Sequence, residues 1–204
     1  MPGIIGKKLG MTSMYDKNGR YVACTVLLAG PCVVTQVKTP DKDGYSALQL
    51  AFDERKVKHT PRPLLKHFEK AGTTPKRKLA EFHFDDLKKL GDIVDVTIFQ
   101  EGEYVDVVGT TKGKGFQGVV KRHRFSGVGA RSHGQHDRER APGSLGASSD
   151  PSRVLRGLRM AGRMGNARRK IQNLEILKII PEKNIMIIKG SVPGATNSYV
   201  LIEK

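Results

Sequence analysis

The apolar residues of this chain fall mostly in short runs of period two, separated by turn residues, a pattern that predicts strands rather than long helices. Met11–Tyr15 and Arg20–Leu27 flank Asp16-Lys17-Asn18-Gly19, and Asn-Gly is a strong hairpin signal. Cys32–Lys38 is rich in Val and Thr, and the loop at Pro40–Gly44 leads to a further strand at Tyr45–Phe52. Arg55–Pro63 is basic and broken by proline, so it reads as a surface loop. Leu64–Ala71 predicts a short helix, with Leu64, Leu65 and Phe68 on one face and Gly72 as its stop. Glu81–Phe84 reads as extended and Leu87–Leu90 as one helical turn. Ile93–Phe99 and Tyr104–Gly109 predict a second hairpin around Gln100–Glu103, because Val94, Val96 and Ile98 alternate with polar neighbours.

The strand rhythm returns late, in Leu174–Ile180, Ile185–Lys189 and Ser198–Glu203. These three segments need a sheet to join, and the N-terminal half offers the one candidate. Many short strands with turn signals between them predict a closed β barrel. The expected architecture is therefore mainly β. Its body is discontinuous, built from 1–109 and 171–204, with a small helical insert near 60–90. The segment 110–170 is an excursion between barrel strands. There is no internal repeat and no heptad pattern.

In that excursion charge replaces hydrophobicity. Residues 110–170 hold 15 Lys/Arg and 3 Asp/Glu, a net of +12 out of the chain's +16, and 11 of its 23 glycines. Such a segment cannot bury enough apolar surface to offset the entropy of folding. It can wrap a polyanion, since Lys and Arg neutralise phosphates and Gly lets the backbone approach closely. The remaining residues, about 140, suffice for a hydrophobic core. No apolar run approaches the ~20 residues of a spanning helix, which disfavours a membrane. The opening Met-Pro-Gly-Ile-Ile-Gly-Lys-Lys is too short in apolar residues for a signal peptide. Two cysteines, Cys24 and Cys32, make no disulfide framework, so the expected compartment is the cytoplasm. Trp is absent and aromatics are few, which argues against a single-strand binder built on stacking.

Gly113-Lys-Gly-Phe-Gln-Gly118 has the spacing G-x-G-x-x-G. A nucleotide site would need a helix opening at the last glycine inside a strand–helix–strand unit, and the following Val-Val-Lys-Arg-His-Arg is too charged to pack on a sheet. No kinase element follows, and a Walker loop fails on both spacing and the missing Ser/Thr. Ser132, His133 and Asp137 supply hydrolase residue types without a nucleophile elbow. His133 and His136 are spaced H-x-x-H with no cysteine near, which does not make a metal site. The chain is expected to be no enzyme and to carry no cofactor or metal. Phosphate contact is the better reading for Lys112, Lys114, Lys121, Arg122, Arg124 and Arg131. It extends to Arg138, Arg140, Arg153, Arg156, Arg159, Arg163, Arg168, Arg169 and Lys170, and to His133 and His136 among them. On the body, a basic docking face is expected to include Lys7, Lys8, Arg55, Lys56 and Lys58.

Three stretches, GTTKGKGFQGVVKRHRF from Gly109, HGQHDRERAPGSLG from His133 and RMAGRMGNARRK from Arg159, closely resemble the bacterial form of the universal large-subunit ribosomal protein L-three family. Phe99, Asp106, Gly109, Thr111, Gly113, Lys114, Gly115, Gly118 and Arg122 fit the spacing of that family's signature, and both chain ends are similar as well. The resemblance implies a translation-protein-type β barrel with a basic extension running through 23S-type rRNA toward the peptidyl-transferase centre. It implies binding near the 3′ end of that rRNA, a role in nucleating subunit assembly, and the large-subunit proteins L-fourteen and L-nineteen as neighbours. It places the extension's tip within His133–Asp150. One departure is Ser149, where many bacterial members carry a Gln that is methylated in some of them; that modification cannot occur here.

Overall fold

A computed structural model of the chain describes residues 2–16, 18–84, 88–129 and 133–204. In chain order its elements begin with strands β1 (Gly3–Tyr15), β2 (Tyr21–Ala29) and β3 (Cys32–Lys38). A short helix α1 (Pro40–Asp43) leads to β4 (Ala47–Glu54), helix α2 (Arg62–Lys70), β5 (Lys76–Phe82), β6 (Ile93–Val94) and β7 (Tyr104–Thr110). Then come β8 (Phe116–Gln117), helix α3 (Val119–His123) and β9 (Gly162–Arg163). The last strands are β10 (Arg168–Ile180), β11 (Ile185–Lys189) and β12 (Tyr199–Glu203). The chain divides into two units, Met1–Thr111 with Arg168–Lys204, and Lys112–Ala167.

In the first unit six strands pair in a closed ring, in the order β1-β12-β7-β10-β11-β2, with antiparallel neighbours throughout. Period-two alternation drives this. Val200 and Ile202 of β12, Met186 and Ile188 of β11, and Val105 and Val107 of β7 are buried, while Tyr199, Leu201, Ile185, Ile187, Tyr104 and Asp106 beside them are less so. The Asn18-Gly19 turn closes the β1–β2 hairpin, with the Gly19 N–H donating to the Asp16 carbonyl at 2.8 Å and Gly19 at φ 72°.

The other strands of this unit do not join the ring. They form a four-stranded sheet, β5-β4-β3-β6, and the stretch near 60–90 holds the helix α2 followed by β5 of that sheet. Its helix α2 buries Phe68 and ends where the Gly72 N–H bonds the Glu69 carbonyl at 3.0 Å, with Gly72 left-handed at φ 65°. The expected hairpin of Ile93–Phe99 with Tyr104–Gly109 is absent. Ile93 and Val94 pair with Val33 and Cys32 of β3, and Val96–Ile98 forms a turn of 3₁₀ helix. Alternation fixes which side chains are apolar but not which strand edge receives them; Val94 and Val96 are buried, against a different partner. The turn expected at Leu87–Leu90 lies partly outside the described residues.

Barrel and sheet share one core, in which Ile4, Leu27, Val107 and Ile202 pack with Val34, Leu50, Phe52 and Phe82. Each such side chain contributes about 1.5–3 kcal/mol on leaving water. The joint between the two sheets depends on Gly3. A Cβ there would lie 2.5 Å from the Phe82 ring and 2.6 Å from the Ile202 carbonyl oxygen. Gly10, further along the same strand, has open space at that position.

Gly3→Ala is therefore expected to destabilise the protein by about 1–3 kcal/mol through overpacking, whereas Gly10→Ala stays within about 0.5 kcal/mol. Chemical denaturation of the two variants checks the difference.

Candidate nucleic-acid interface

The unit Lys112–Ala167 is held by backbone and glycine rather than by a core. Among its described residues Val119 alone is buried. Phe116 and Gln117 pair with Arg163 and Gly162 in a two-stranded ribbon. The ribbon continues through Lys114 N–H to the Met164 carbonyl and Met164 N–H to the Gly115 carbonyl, both at 2.9 Å. Gly165 is required beside it, because its φ is 74° and a Cβ would sit 2.0 Å from the Lys112 carbonyl oxygen. A helix does open after Gly118. It is one turn of five residues, and the strand before it pairs antiparallel with β9, so no nucleotide-binding strand–helix–strand unit exists there.

The cations of this unit project outward. Lys112, Lys114, Lys121, Arg124, His133, His136, Arg138, Arg140, Arg153, Arg156, Arg159 and Arg163 are exposed. Arg122 is half-buried; its guanidinium donates to the Met160 carbonyl at 2.6 Å and lies over Gly162, where a Cβ would come within 2.7 Å of it. His123 reaches the same carbonyl at 3.1 Å. Arg122 is thus a brace of the unit, with further N–H donors to spare. Arg131 and Ser132 lie outside the described residues.

Charge pairing divides the chain sharply. Among the described residues every ion pair belongs to the barrel-containing unit, and none involves a Lys or Arg of 112–167. Arg168, Arg169 and Lys170, read from sequence as part of the basic excursion, belong to β10, where Arg168 faces Thr110 and Arg169 faces Gly109 across the ladder. Both arginines are exposed and make no ion pair among the described residues. Lys170 differs. Its ammonium sits 2.9 Å from both Asp106 and Glu203 carboxylates. Donation of those hydrogen bonds, to Glu203 first and to Asp106 second, raises the Lys170 pKa, and Lys170 holds the Asp106 carboxyl below its ordinary range.

Lys8, expected on a basic docking face, is buried instead. Two residues on from Gly6, it shares the inward face of β1, and it is 7% exposed. Its ammonium donates to the Val192 carbonyl at 2.8 Å and lies 3.4 Å from that of Gly194. It ties down the loop before β12 and does not form part of a docking face. Lys7 is half-buried, 4.0 Å from the Asp53 carboxylate. Arg55 and Lys56 line a cavity of about 630 Å³ together with His59 and Arg77, two residues the sequence reading missed; Lys58 does not line it. Arg77 reaches it from β5, its Nε donating to the Glu54 carbonyl at 2.9 Å, a proximity that only strand pairing reveals. Cys24 and Cys32 are free and buried, and burial pushes the Cys32 thiol up to about 12.

The family described as Ribosomal protein L3 matches residues 55–185 of the chain. The protein called large ribosomal subunit protein uL3 in Salinibacter ruber is 59% identical over 204 residues, spanning 99% of this chain and 98% of that protein.

The paired and unpaired cations are expected to behave differently on substitution. Lys170→Met should lower the melting temperature at pH 7 and leave the salt dependence of polyanion binding unchanged. The effect on stability has a defined pH window. The Asp106 pKa is depressed in the folded protein, so its contribution is present above its unfolded value, about 4, and disappears as pH falls through the lower folded value. Lys170, with its raised pKa, contributes below its unfolded value of about 10.4 and stops doing so as pH climbs past the folded one. Wild type and variant should therefore converge in acid, which thermal melts from pH 2 to 7 will show.

Proposed function

Because the chain belongs to the ribosomal protein L3 family, we propose that it binds 23S-type rRNA directly, near the 3′ end of that RNA. As a member of that family it is a structural constituent of the large ribosomal subunit, in the cytoplasm, with rRNA and other ribosomal proteins as partners. No helix among the described residues is long and apolar enough to cross a membrane. In the proposed arrangement the body, 1–109 with 171–204 in the sequence reading, is a translation-protein-type barrel on the subunit surface. The basic segment 110–170 threads through RNA toward the peptidyl-transferase centre, with the tip at 133–150. Early binding nucleates subunit assembly, and L-fourteen and L-nineteen lie alongside. The chain performs no catalysis; the RNA does the chemistry.

The observation that carries this reading is the uncompensated charge of Lys112–Ala167. Twelve Lys/Arg against three Asp/Glu sit on a unit with almost no buried apolar surface. Outward cations without carboxylate partners repel one another, and phosphates relieve that repulsion while releasing condensed counterions. Arginine at most of these positions suits planar, bidentate contact with phosphate and stacking on bases. The residues proposed to meet RNA are Lys112, Lys114, Lys121, Arg124, Arg131, His133, His136, Arg138, Arg140, Arg153, Arg156, Arg159, Arg163, Arg168 and Arg169, with Arg122 contributing from its braced position. Lys7 and the basic cavity of Arg55, Lys56, His59 and Arg77 supply a second contact face on the body.

Cosedimentation tests the proposal. The tagged protein should travel with large subunits and remain on them after a high-salt wash, because a threaded segment cannot leave by counterion exchange alone. Complete release by salt would place it among loosely bound factors and overturn the threading.

The strand ends allow a second test. Thr110 and Arg168 face each other across the β7–β10 ladder, so replacing 111–167 with Asn-Gly should leave a tight hairpin and a folded body. The excised protein is expected to keep a cooperative melt. The slope of log affinity for rRNA against log salt should fall in magnitude by several units, at roughly 0.7–0.9 for each lost phosphate contact.

A further inference from the structure

We propose that Phe116 and Arg163, side by side on the β8–β9 ribbon, form a stacking platform for one unpaired nucleobase of RNA; this rests on the RNA-binding reading above and names a contact within it. Phe116 is 77% exposed, while Phe52, Phe68, Phe82 and Phe99 are each at most 4% exposed. Water contact over a whole aromatic ring is unfavourable, and a ring held in that state by a hydrogen-bonded ribbon is poised for a flat apolar partner. Phe116 makes no ring contact and lies under no cation among the described residues.

Its surroundings fit a base. Phe116 is the direct cross-strand partner of Arg163, so the two side chains leave the ribbon on the same face, with Cβ atoms roughly 5 Å apart. Arg163 is exposed and makes no ion pair among the described residues, leaving its planar guanidinium available to extend the stack. Gly115 precedes Phe116 directly and Gly118 follows two residues on. Its 77% exposure leaves the ring open to approach. The ribbon is fixed by the Lys114–Met164 and Met164–Gly115 backbone bonds and by the Gln117 amide donating to the Lys114 carbonyl, which presents the ring in one place.

Charge decides between a base and an apolar protein groove. Lys112, Lys114 and Lys121, near Phe116 in sequence, are exposed and make no ion pair among the described residues. A nucleotide brings a π-face and a phosphate together, matching a ring set among cations. The base must be unpaired, since in a duplex its faces are covered by its neighbours. One ring is involved and not a row of them, which agrees with the scarcity of aromatics in the chain.

The test uses the full chain and a 12-nucleotide single-stranded RNA carrying 2-aminopurine, with a blunt duplex of the same sequence as comparison. Wild type and Phe116→Trp should quench the 2-aminopurine fluorescence. Phe116→Leu should abolish the quenching and weaken single-strand binding about 10-fold, with the salt slope and duplex affinity unchanged. Arg163→Lys, which keeps the charge and loses the plane, should weaken single-strand binding in the same selective way. Undiminished quenching and affinity in Phe116→Leu would overturn the platform. Equal losses for single strand and duplex would overturn it too, by showing that Phe116 only shapes the unit. Failure of the wild type to bind either RNA would instead strike the RNA-binding reading itself, and the platform with it.

Discussion

The Asp106 carboxylate holds the seam of the barrel. The chain leaves the ring at the end of β7 and re-enters it at β10 alongside, and the ladder there is interrupted by a bulge between Ile171 and Leu174. Asn173 in that bulge is left-handed at φ 56°, and its N–H, which the ladder cannot satisfy, donates to Asp106 at 3.0 Å. The other oxygen of the same carboxylate takes the Lys170 ammonium. One side chain thus satisfies an unpaired donor and fixes the strand that re-enters the barrel. The whole of 112–167 lies between the two strands it joins. Loop-closure entropy grows only logarithmically with length, so a long excursion is tolerated provided the seam is specific.

The position of that seam explains how a chain of such uneven charge can fold. The barrel-containing unit satisfies several of its cations internally: Lys170 on Asp106 and Glu203, Lys38 on Glu81, Lys189 on Glu175, Lys8 on backbone carbonyls. It combines an ordinary core with a partly neutralised surface network. The segment beyond the seam carries the opposite arrangement, a hydrogen-bonded glycine framework with outward cations and almost no interior. Two solutions to the cost of charge sit in one chain, an internal one and one that needs an external polyanion.

Much of the body was legible in the sequence. Cys32–Lys38 and Ile185–Lys189 were read with the bounds they have in the structure, because each is a clean apolar run between turn signals. The first strand was read from Met11, while it starts at Gly3; Gly3, Gly6 and paired lysines hide its alternation, and those glycines are there for packing against Phe82 and Ile202. Partner choice was not legible. Val94 and Val96 carried the right pattern for burial and were assigned to the wrong edge. The two lysines whose roles changed, Lys8 and Lys170, look like any other basic residue in the sequence, since their acceptors lie up to 186 positions away. Composition located the basic segment but ran three residues into β10, where outward side chains of an edge-facing strand end have the same polarity as an arm. Phe116 escaped notice inside a glycine motif, although a lone aromatic between glycines in a cationic stretch was the available signal.

The pairing of β1 with β12, Gly3 against Glu203, has a consequence for the order of events during synthesis. The strand made first must wait for the strand made last. From the emergence of β7 to that of β12, roughly 5–20 s pass at translation rates of about 5–20 residues per second. During that interval β1 and β7 present open edges, and the most cationic segment of the chain emerges. Open edges invite pairing with other chains. Like-charge repulsion from a nascent basic segment works against such encounters, so the stretch that later needs RNA also shields an unfinished barrel while its closing strand is still being made.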